Sequence, residues 1–243
     1  MKIIKLNAID STNSYLKQLA KETCLEDETV VITNRQISGR GQMGNVWLSR
    51  EGQSLTFSVF KELSQLPVER QFIISMAVSL GILKALKSLN VPKISIKWPN
   101  DILSANKKIG GILIENVLEG SNVKHTIIGI GLNVNDTDLT KLPQASSLKL
   151  QTGENFQLEE VLATILKNIF KNLKNLPAAD FSEMKRTYEN NLFRKEKVSV
   201  FETPEGLRFN GIITGVSDIG KLLVETENYP LQKFQMKEVK LIY

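Results

Sequence analysis

Apolar and polar positions follow two different patterns along the chain, and the change between them divides it in two. Before Phe193, stretches that alternate with the period of a strand are interleaved with stretches that have helical periodicity. After Phe193, only short alternating segments follow, and they are separated by turns at 204–206 and 218–220. The pattern predicts an α+β fold: a mixed, mostly antiparallel sheet with flanking helices over residues 1–193, and a small all-β module, a β-barrel, over 194–243.

Individual elements follow from the same periodicities. The predicted strands span residues 2–6, 29–33, 55–60, 94–97, 112–118, 123–132, 207–216, 222–225 and 237–241, with a further strand through Val198 and Val200. The first predicted helix is capped by Asp10 or Ser11. Three further helices are predicted at 69–89, 157–175 and 180–192. The helix at 69–89 is apolar nearly all round, as is typical of a helix buried against a sheet. The polar segment 34–45 is too long for a tight turn and is a candidate mobile loop.

Composition narrows the chemistry that the 243-residue chain can perform. Cys24 and His125 are the only residues of their types, which excludes a disulfide framework and makes a zinc site or a histidine-based nucleophile system improbable. Both are interpreted as structural residues. No apolar run approaches the length of a membrane span, so the sequence predicts a cytoplasmic protein that does not interact with membranes.

The chain has 31 Lys plus Arg against 26 Asp plus Glu, and the net charge of +5 suggests an anionic partner. No run of five like charges and no interleaving of aromatic with basic residues occurs, so specific nucleic-acid binding is not expected. A phosphate on a small molecule needs only a few cations.

The segment Gly39-Arg40-Gly41-Gln42-Met43-Gly44 matches the pattern G-x-G-x-x-G of dinucleotide-binding sites. That fingerprint requires the glycines to open a helix directly after a strand, whereas the residues that follow here are β-like. A glycine-rich surface turn is one alternative. Arg40 favours an anion-binding loop, because a guanidinium binds carboxylate or phosphate in a bidentate manner.

Two further segments carry candidate chemistry. The first is the sequence KWPND at 97–101 together with Lys107-Lys108-Ile109-Gly110-Gly111, which brings cations and a carboxylate to neighbouring strand ends. The second is Asp10-Ser11-Thr12-Asn13 at a helix N-terminus, where N–H groups and short polar side chains can bind a small polar ligand. Taken separately, a solvated lysine-rich turn and plain helix capping are the favoured explanations of these two segments.

Together, the three segments and their order resemble the biotin protein ligases. The resemblance rests on residues 10–13, on Gln36 followed by GRG at 39–41, on KWPND at 97–101, on KIGGILIE at 108–115 and on IGIGLNVN at 128–135. It covers essentially the whole chain, including the C-terminal module, and it implies a class II synthetase-like catalytic domain at 1–193. The implied reaction joins biotin to AMP with ATP and Mg²⁺, and then transfers biotin to a lysine of a biotin carboxyl carrier domain.

The resemblance also implies roles for residues. Arg40, Lys108 and Lys97 would be the catalytic cations. The implied biotin-binding residues are Ser11, Thr12, Asn13, Gln36, Gly39, Arg40, Gly41, Gln42, Lys108, Gly110 and Gly111. The implied ATP-binding residues are Arg40, Trp47, Lys97, Asn100, Lys108 and Asn133. Asp101, with Asn100 beside it, is the candidate Mg²⁺ contact, because oxygen ligands suit that ion.

Two departures from the family pattern stand out. Many relatives have basic residues in the glycine-rich loop, whereas Gln42 is neutral, which puts retention of the adenylate in doubt. The motifs begin at residue 10, so a form without the N-terminal DNA-binding domain is expected.

Two alternatives to a biotin protein ligase stay open: a lipoate or octanoate ligase or transferase of related fold, and a non-enzymatic biotin-binding module. The resemblance makes a homodimer plausible.

Overall fold

The two kinds of pattern form twelve strands and five helices in residues 1–174, 176–227 and 230–243, which the computed structural model describes. The strands are β1 (Lys2–Ile9), β2 (Thr29–Gln36), β3 (Ser54–Pro67), β4 (Ile94–Lys97), β5 (Asp101–Ser104), β6 (Lys107–Glu119), β7 (Asn122–Asn133), β8 (Val198–Glu202), β9 (Arg208–Val216), β10 (Leu222–Thr226), β11 (Gln232–Phe234) and β12 (Lys240–Ile242). The helices are α1 (Thr12–Glu22), α2 (Phe72–Ser88), α3 (Leu148–Thr152), α4 (Leu158–Leu173) and α5 (Phe181–Glu189).

The first seven strands form one sheet in the order β1-β2-β3-β7-β6-β5-β4. The pair β1–β2 is parallel and the other neighbours are antiparallel, which confirms the mixed, mostly antiparallel sheet. Strand β5 was not predicted. It follows β4 after a three-residue turn, at 98–100, and brings the KWPND segment to the edge of the sheet.

The two faces of this sheet carry different side chains, because successive residues of a strand point to opposite faces. On β3, Leu55, Phe57 and Val59 face the main core, which α2 and α4 complete. Phe60 faces the opposite side and packs with Leu16 of α1 in a smaller core. Helix α1 covers only part of this second face, and the remainder carries polar residues and glycines. The candidate active site lies on this uncovered part of the second face.

Helix α2 has the all-round apolar character that the sequence shows, and eleven of its residues are buried. The segment Val68–Ser88 is long and apolar enough to cross a membrane by composition, but 61% of it is buried inside the fold, and its apolar surface is explained by the core. Helices α4 and α5 end at Leu173 and Glu189, earlier than expected. The predicted end at residue 175 lies outside the described residues.

Strands β8–β12 form a second, five-stranded antiparallel sheet in the order β11-β10-β9-β8-β12. The stacked rings of Phe201, Phe209 and Phe234 form part of its interior. Within the described part of this module, β11 and β12 are the outer strands and do not pair with each other. The division into domains at residue 193 stays a prediction.

Candidate active site

A cavity of about 520 Å³ lies between the polar face of the large sheet and the C-terminal sheet. Its volume is within the usual range for small-molecule sites. Most of the residues predicted from the motifs line it: Ser11, Thr12, Asn13, Gln36, Arg40, Gly41, Gln42, Trp47, Lys97, Asn100, Asp101, Lys108 and Gly111. Segments more than 90 residues apart in sequence therefore meet in one site.

One end of the cavity is an amide and hydroxyl cluster formed by the start of α1. Ser11 caps the helix, and Thr12 and Asn13 are only 3% exposed. The side-chain oxygen of Gln36 accepts from the backbone N–H of Thr12 at 2.9 Å. Ser58 Oγ on β3 lies 2.5 Å from Asn13 Oδ1 and 2.7 Å from Thr12 Oγ1. These polar groups are suited to bind a neutral polar head group such as a cyclic urea.

The orientation of the Asn13 amide is determined by its partners. Asn13 Nδ2 donates to Glu115 Oε2 at 3.0 Å and to the carbonyl of Leu113 at 3.4 Å. Both partners are acceptors, so the amide nitrogen must face them and the oxygen must face Ser58. Lys17 Nζ donates to the other Glu115 oxygen at 3.0 Å.

The charge on Glu115 is maintained by the same contacts. Burial acts to raise the pKa of this carboxyl, but the hydrogen bonds from Lys17 and Asn13 and the charges of Lys17 and Arg40 outweigh it. The resulting pKa lies below the usual value, so Glu115 is an anion at neutral pH. Neither Glu115 nor Lys17 was assigned a role from sequence.

The floor of the cavity is a row of residues in register across five strands: Thr56, Gly131, Gly111, Asp101 and Lys97. Three strand spacings, about 14 Å in total, separate Thr56 at the amide end from Asp101 at the other end. Between them are only glycines, and the indole of Trp47 lies on these: a Cβ on Gly131 would be 2.2 Å from its Cε2. The glycines thus create a bare slot that an aromatic ring or a flat ligand can occupy.

The other end of the floor is a charged cluster. Asp101 Oδ1 lies 2.6 Å from Lys108 Nζ, and Asp101 Oδ2 lies 3.4 Å from Lys97 Nζ. Lys108 Nζ also lies 5.6 Å from the ring centroid of Trp47. Two cations held by a single carboxylate leave a net positive charge, which favours an anion at this end of the cavity.

A β-bulge directs Lys108 into this cluster. The β5–β6 register shifts, so that Ile102 pairs with Gly110 while Leu103 pairs with Lys108. Ile109 is therefore the extra residue and is buried in the main core, as Ile102 is. Without the bulge, strict alternation would put Lys108 on the core face of the sheet together with Gly110.

The glycine-rich segment forms a closed hairpin over the cavity. Its backbone bonds run from Gly41 N to Asn45 O at 2.7 Å and from Trp47 N to Gly39 O at 2.9 Å. A short 3-10 turn over Gln42–Gly44 forms the tip. Among the described residues, the exposed guanidinium of Arg40 has no hydrogen-bonded partner, although its charge acts on Glu115. That the hairpin moves stays a prediction.

The C-terminal module supplies a wall of the cavity that sequence reasoning missed. Trp98 Nε1 donates to the carbonyl of Gly220 at 2.9 Å and connects the two sheets. The Tyr243 ring centroid is 5.5 Å from Lys97 Nζ. Burial, and then the charge of Asp101, raise the pKa of the Tyr243 phenol. The residues of this wall are Ile213, Leu222, Met236, Lys237, Val239, Lys240 and Leu241.

Three predicted site residues do not line the cavity. Gly110 faces the core, where a Cβ would be 3.2 Å from Leu132. Gly39 supports the hairpin, since a Cβ there would be 2.2 Å from the Trp47 carbonyl. The Asn133 amide donates to the carbonyl of Ser146 at 3.0 Å.

The single histidine and cysteine lie outside the cavity lining. His125 packs on Phe60, with ring centroids 4.9 Å apart. Burial and the charge of Lys124 lower the His125 pKa, so the ring is neutral at physiological pH. Cys24 is a free, exposed thiol beyond the end of α1.

A cavity that combines an amide cluster with a cation cluster is suited to bind a polar acid and a phosphate together, and the family model and relatives identify the class as protein ligases. More particularly, the chain belongs to the biotin/lipoate A/B protein ligase family, whose model matches residues 6–133. The membership predicted from the motifs is confirmed.

Individual relatives extend the likeness over nearly the whole chain. The bifunctional ligase/repressor BirA of Bacillus spizizenii is 30% identical over 98% of this chain and 74% of its own length. The biotin–[acetyl-CoA-carboxylase] ligase of Mycobacterium tuberculosis is 29% identical over 88% of this chain and 80% of its own length. The biotin protein ligase of Aquifex aeolicus, solved in complex with biotin and ATP, superposes with a TM-score of 0.81, at 29% identity over 99% of this chain and 98% of that one.

Proposed function

We propose that this chain is an ATP-dependent biotin protein ligase. It converts biotin and ATP to biotinyl-5′-AMP and pyrophosphate, and it then transfers biotin to a lysine of a biotin carboxyl carrier domain. The observation that carries the proposal is the single cavity with a polar head-group end, a glycine floor and a cation cluster. Relatives named as biotin ligases support biotin over lipoate as the acid.

In the first half-reaction, a carboxylate oxygen of biotin forms a bond to the α-phosphorus of ATP, and the bond from that phosphorus to the β-phosphate oxygen breaks. Negative charge develops on phosphoryl oxygens and no proton has to move, so fixed cations matter more than a general base. Lys108 and Arg40 bind the carboxylate and the α-phosphate, and Lys97 binds the other phosphates. Both lysines exchange their contact with Asp101 for these anions.

A magnesium ion bound with ATP would neutralise phosphate charge. No three carboxylate, histidine or cysteine side chains converge on one point within residues 1–174, 176–227 and 230–243. Asp101 nevertheless fits such an ion, because Mg²⁺ in nucleotide sites usually takes one or two carboxylates and leaves the remaining positions to phosphates and water. Asn100 is fixed beside it, with its amide nitrogen donating to the carbonyl of Ile112 at 2.8 Å.

In the second half-reaction, a lysine amine of the carrier domain attacks the acyl carbon of the adenylate and AMP leaves. The amine loses a proton to the solvent as the amide bond forms. The cation cluster that binds the phosphate also stabilises the departing AMP.

The test is biotin-dependent exchange of labelled pyrophosphate into ATP, followed by transfer to a carrier domain. Lys107→Ala is a control for Lys108→Ala, because Lys107 is adjacent in sequence but donates to the Pro143 carbonyl and does not line the cavity. Exchange with biotin but not with lipoate supports the proposal. Exchange with lipoate alone, or no exchange with either acid, contradicts it.

The proposal also covers the location of the protein, its binding to nucleic acid and its oligomeric state. The protein works in the cytoplasm, which agrees with the free, exposed Cys24 thiol. It binds no specific nucleic acid, since a net charge of +5 supports only weak, salt-sensitive association. A homodimer is expected, and sedimentation at several protein concentrations tests it.

A further inference from the structure

Three hydroxyls lie side by side on the cavity face of β3, at Ser54, Thr56 and Ser58. They alternate with the core residues of the same strand, so all three point away from the main core. Ser58 is bonded within the amide cluster. The hydroxyls of Ser54 and Thr56 are buried and have no hydrogen-bond partner among the described residues.

Thr56 differs from Ser54 because it also lines the cavity. The residue is 6% exposed, and it lies beside Gly131 at the end of the glycine floor. A buried hydroxyl without a partner is costly, and a valine would fill the same position with equal packing and without that cost. In the ligand-free protein the Thr56 hydroxyl therefore has no hydrogen-bond partner among the described residues, and a ligand bound in the cavity can supply one.

The position of Thr56 indicates which part of the ligand supplies that partner. It is two residues from Ser58 on the same strand, about 7 Å along it. The cation cluster lies about 14 Å away, at the other end of the floor. We propose that Thr56 is a biotin-contacting residue, whose hydroxyl binds the bicyclic head group where that group leaves the amide cluster. The inference depends on the proposed function, and it adds a residue that no motif of the sequence marks.

The experiment measures biotin binding by calorimetry for the full chain and for two matched variants. Thr56→Val removes the hydroxyl and retains the shape. Thr126→Val makes the same change at a second buried hydroxyl that also has no described partner and does not line the cavity. Thr56→Val should raise the Kd for biotin about three- to tenfold, the usual effect of one neutral hydrogen bond. Thr126→Val should leave that Kd within about twofold of the original.

Two further measurements separate binding from folding. Without ligand, both valine variants should melt at or above the temperature of the original chain, because each loses a buried group without a partner. If Thr56→Val does not fold, Thr56→Ser retains the hydroxyl and should retain biotin affinity. An unchanged Kd in Thr56→Val, or an equal rise in Thr126→Val, would overturn the inference. If the original chain binds no biotin at all, the proposed function fails and the inference fails with it.

Discussion

Gly129→Ala tests whether the amide cluster depends on a glycine in the opposite strand. A Cβ at residue 129 would lie 2.2 Å from Asn13 Oδ1 and 2.9 Å from its Cγ. Ordinary contact requires about 3.4 Å, so the Asn13 side chain would have to move by about 1 Å or more. Asn13 is 3% exposed, and this movement breaks its short contact with Ser58 and its bonds to Glu115 and to the Leu113 carbonyl, one to each.

The cost follows from the number of bonds involved. Two or three buried hydrogen bonds at about 1 kcal/mol each, with groups left unpaired, predict a loss of about 3 kcal/mol in the free energy of unfolding. For a chain of this size, that loss lowers Tm by roughly 6–12 °C. Biotin binding measured by calorimetry should weaken at least tenfold in the same variant, because the head-group pocket is displaced.

A double-mutant cycle identifies the cause. Asn13→Ala removes the atoms that the new methyl group would meet, so adding Gly129→Ala to Asn13→Ala should cost almost nothing, and alanine is the better strand residue. For the free energy of unfolding, Gly111→Ala is the control, since its Cβ would meet Trp47 only at 3.3 Å. If Gly129→Ala costs the same with Asn13 present and absent, the clash is not the reason and the reasoning is refuted.

Three other outcomes are expected. Lys108→Ala and Arg40→Ala should each slow pyrophosphate exchange about 100- to 1,000-fold while Tm changes little, and near-normal exchange in both would contradict the assigned roles. Because the Glu115 pKa is lowered, its contribution to stability is complete above the unfolded-state pKa and disappears only as pH falls through the lower folded-state value. The biotin affinity of the original chain should therefore persist as the pH falls through the range in which carboxyl groups ordinarily titrate, whereas Glu115→Gln should bind biotin weakly at every pH. The same pH dependence of biotin affinity near pH 4 in the original chain and in the variant would argue against this. Gln42→Arg should slow the release of labelled adenylate, since a charge-assisted bond replaces a neutral one, and equal or faster release would remove any role for this position.

Local sequence patterns were sufficient for the large elements and for part of the cavity lining. The alternation of Leu55, Phe57 and Val59 predicted a strand, and the motifs predicted thirteen of the cavity-lining residues. One more signal was present and went unused. The residues between those apolar positions are Ser54, Thr56 and Ser58, and a row of small hydroxyls on a strand beside glycines indicates a ligand-facing surface.

Features that depend on distant pairing could not be predicted. Strict alternation puts Lys108 on the same face as Gly110, and only the bulge at Ile109 places it beside Asp101. Glu115 looks like an ordinary polar residue within a strand until Lys17 and Asn13, about 100 residues earlier, are found to bind it. Contacts of this kind follow from the register of the sheet, which one strand does not specify by itself.

The net charge of the ligand-free site can be compared with the charges of its proposed ligands. Lys97, Lys108 and Asp101 together carry one net positive charge, and Arg40 at the mouth adds another. The carboxylate of biotin and the phosphate of an acyl adenylate each carry one negative charge, so the positive charge of this cluster is sufficient to bind either anion. ATP carries several negative charges, and a divalent cation bound with it would neutralise part of them. Asp101 thus fits two states of the site: it offsets part of the lysine charge in the ligand-free protein, and it would be a suitable ligand for a metal ion bound with ATP.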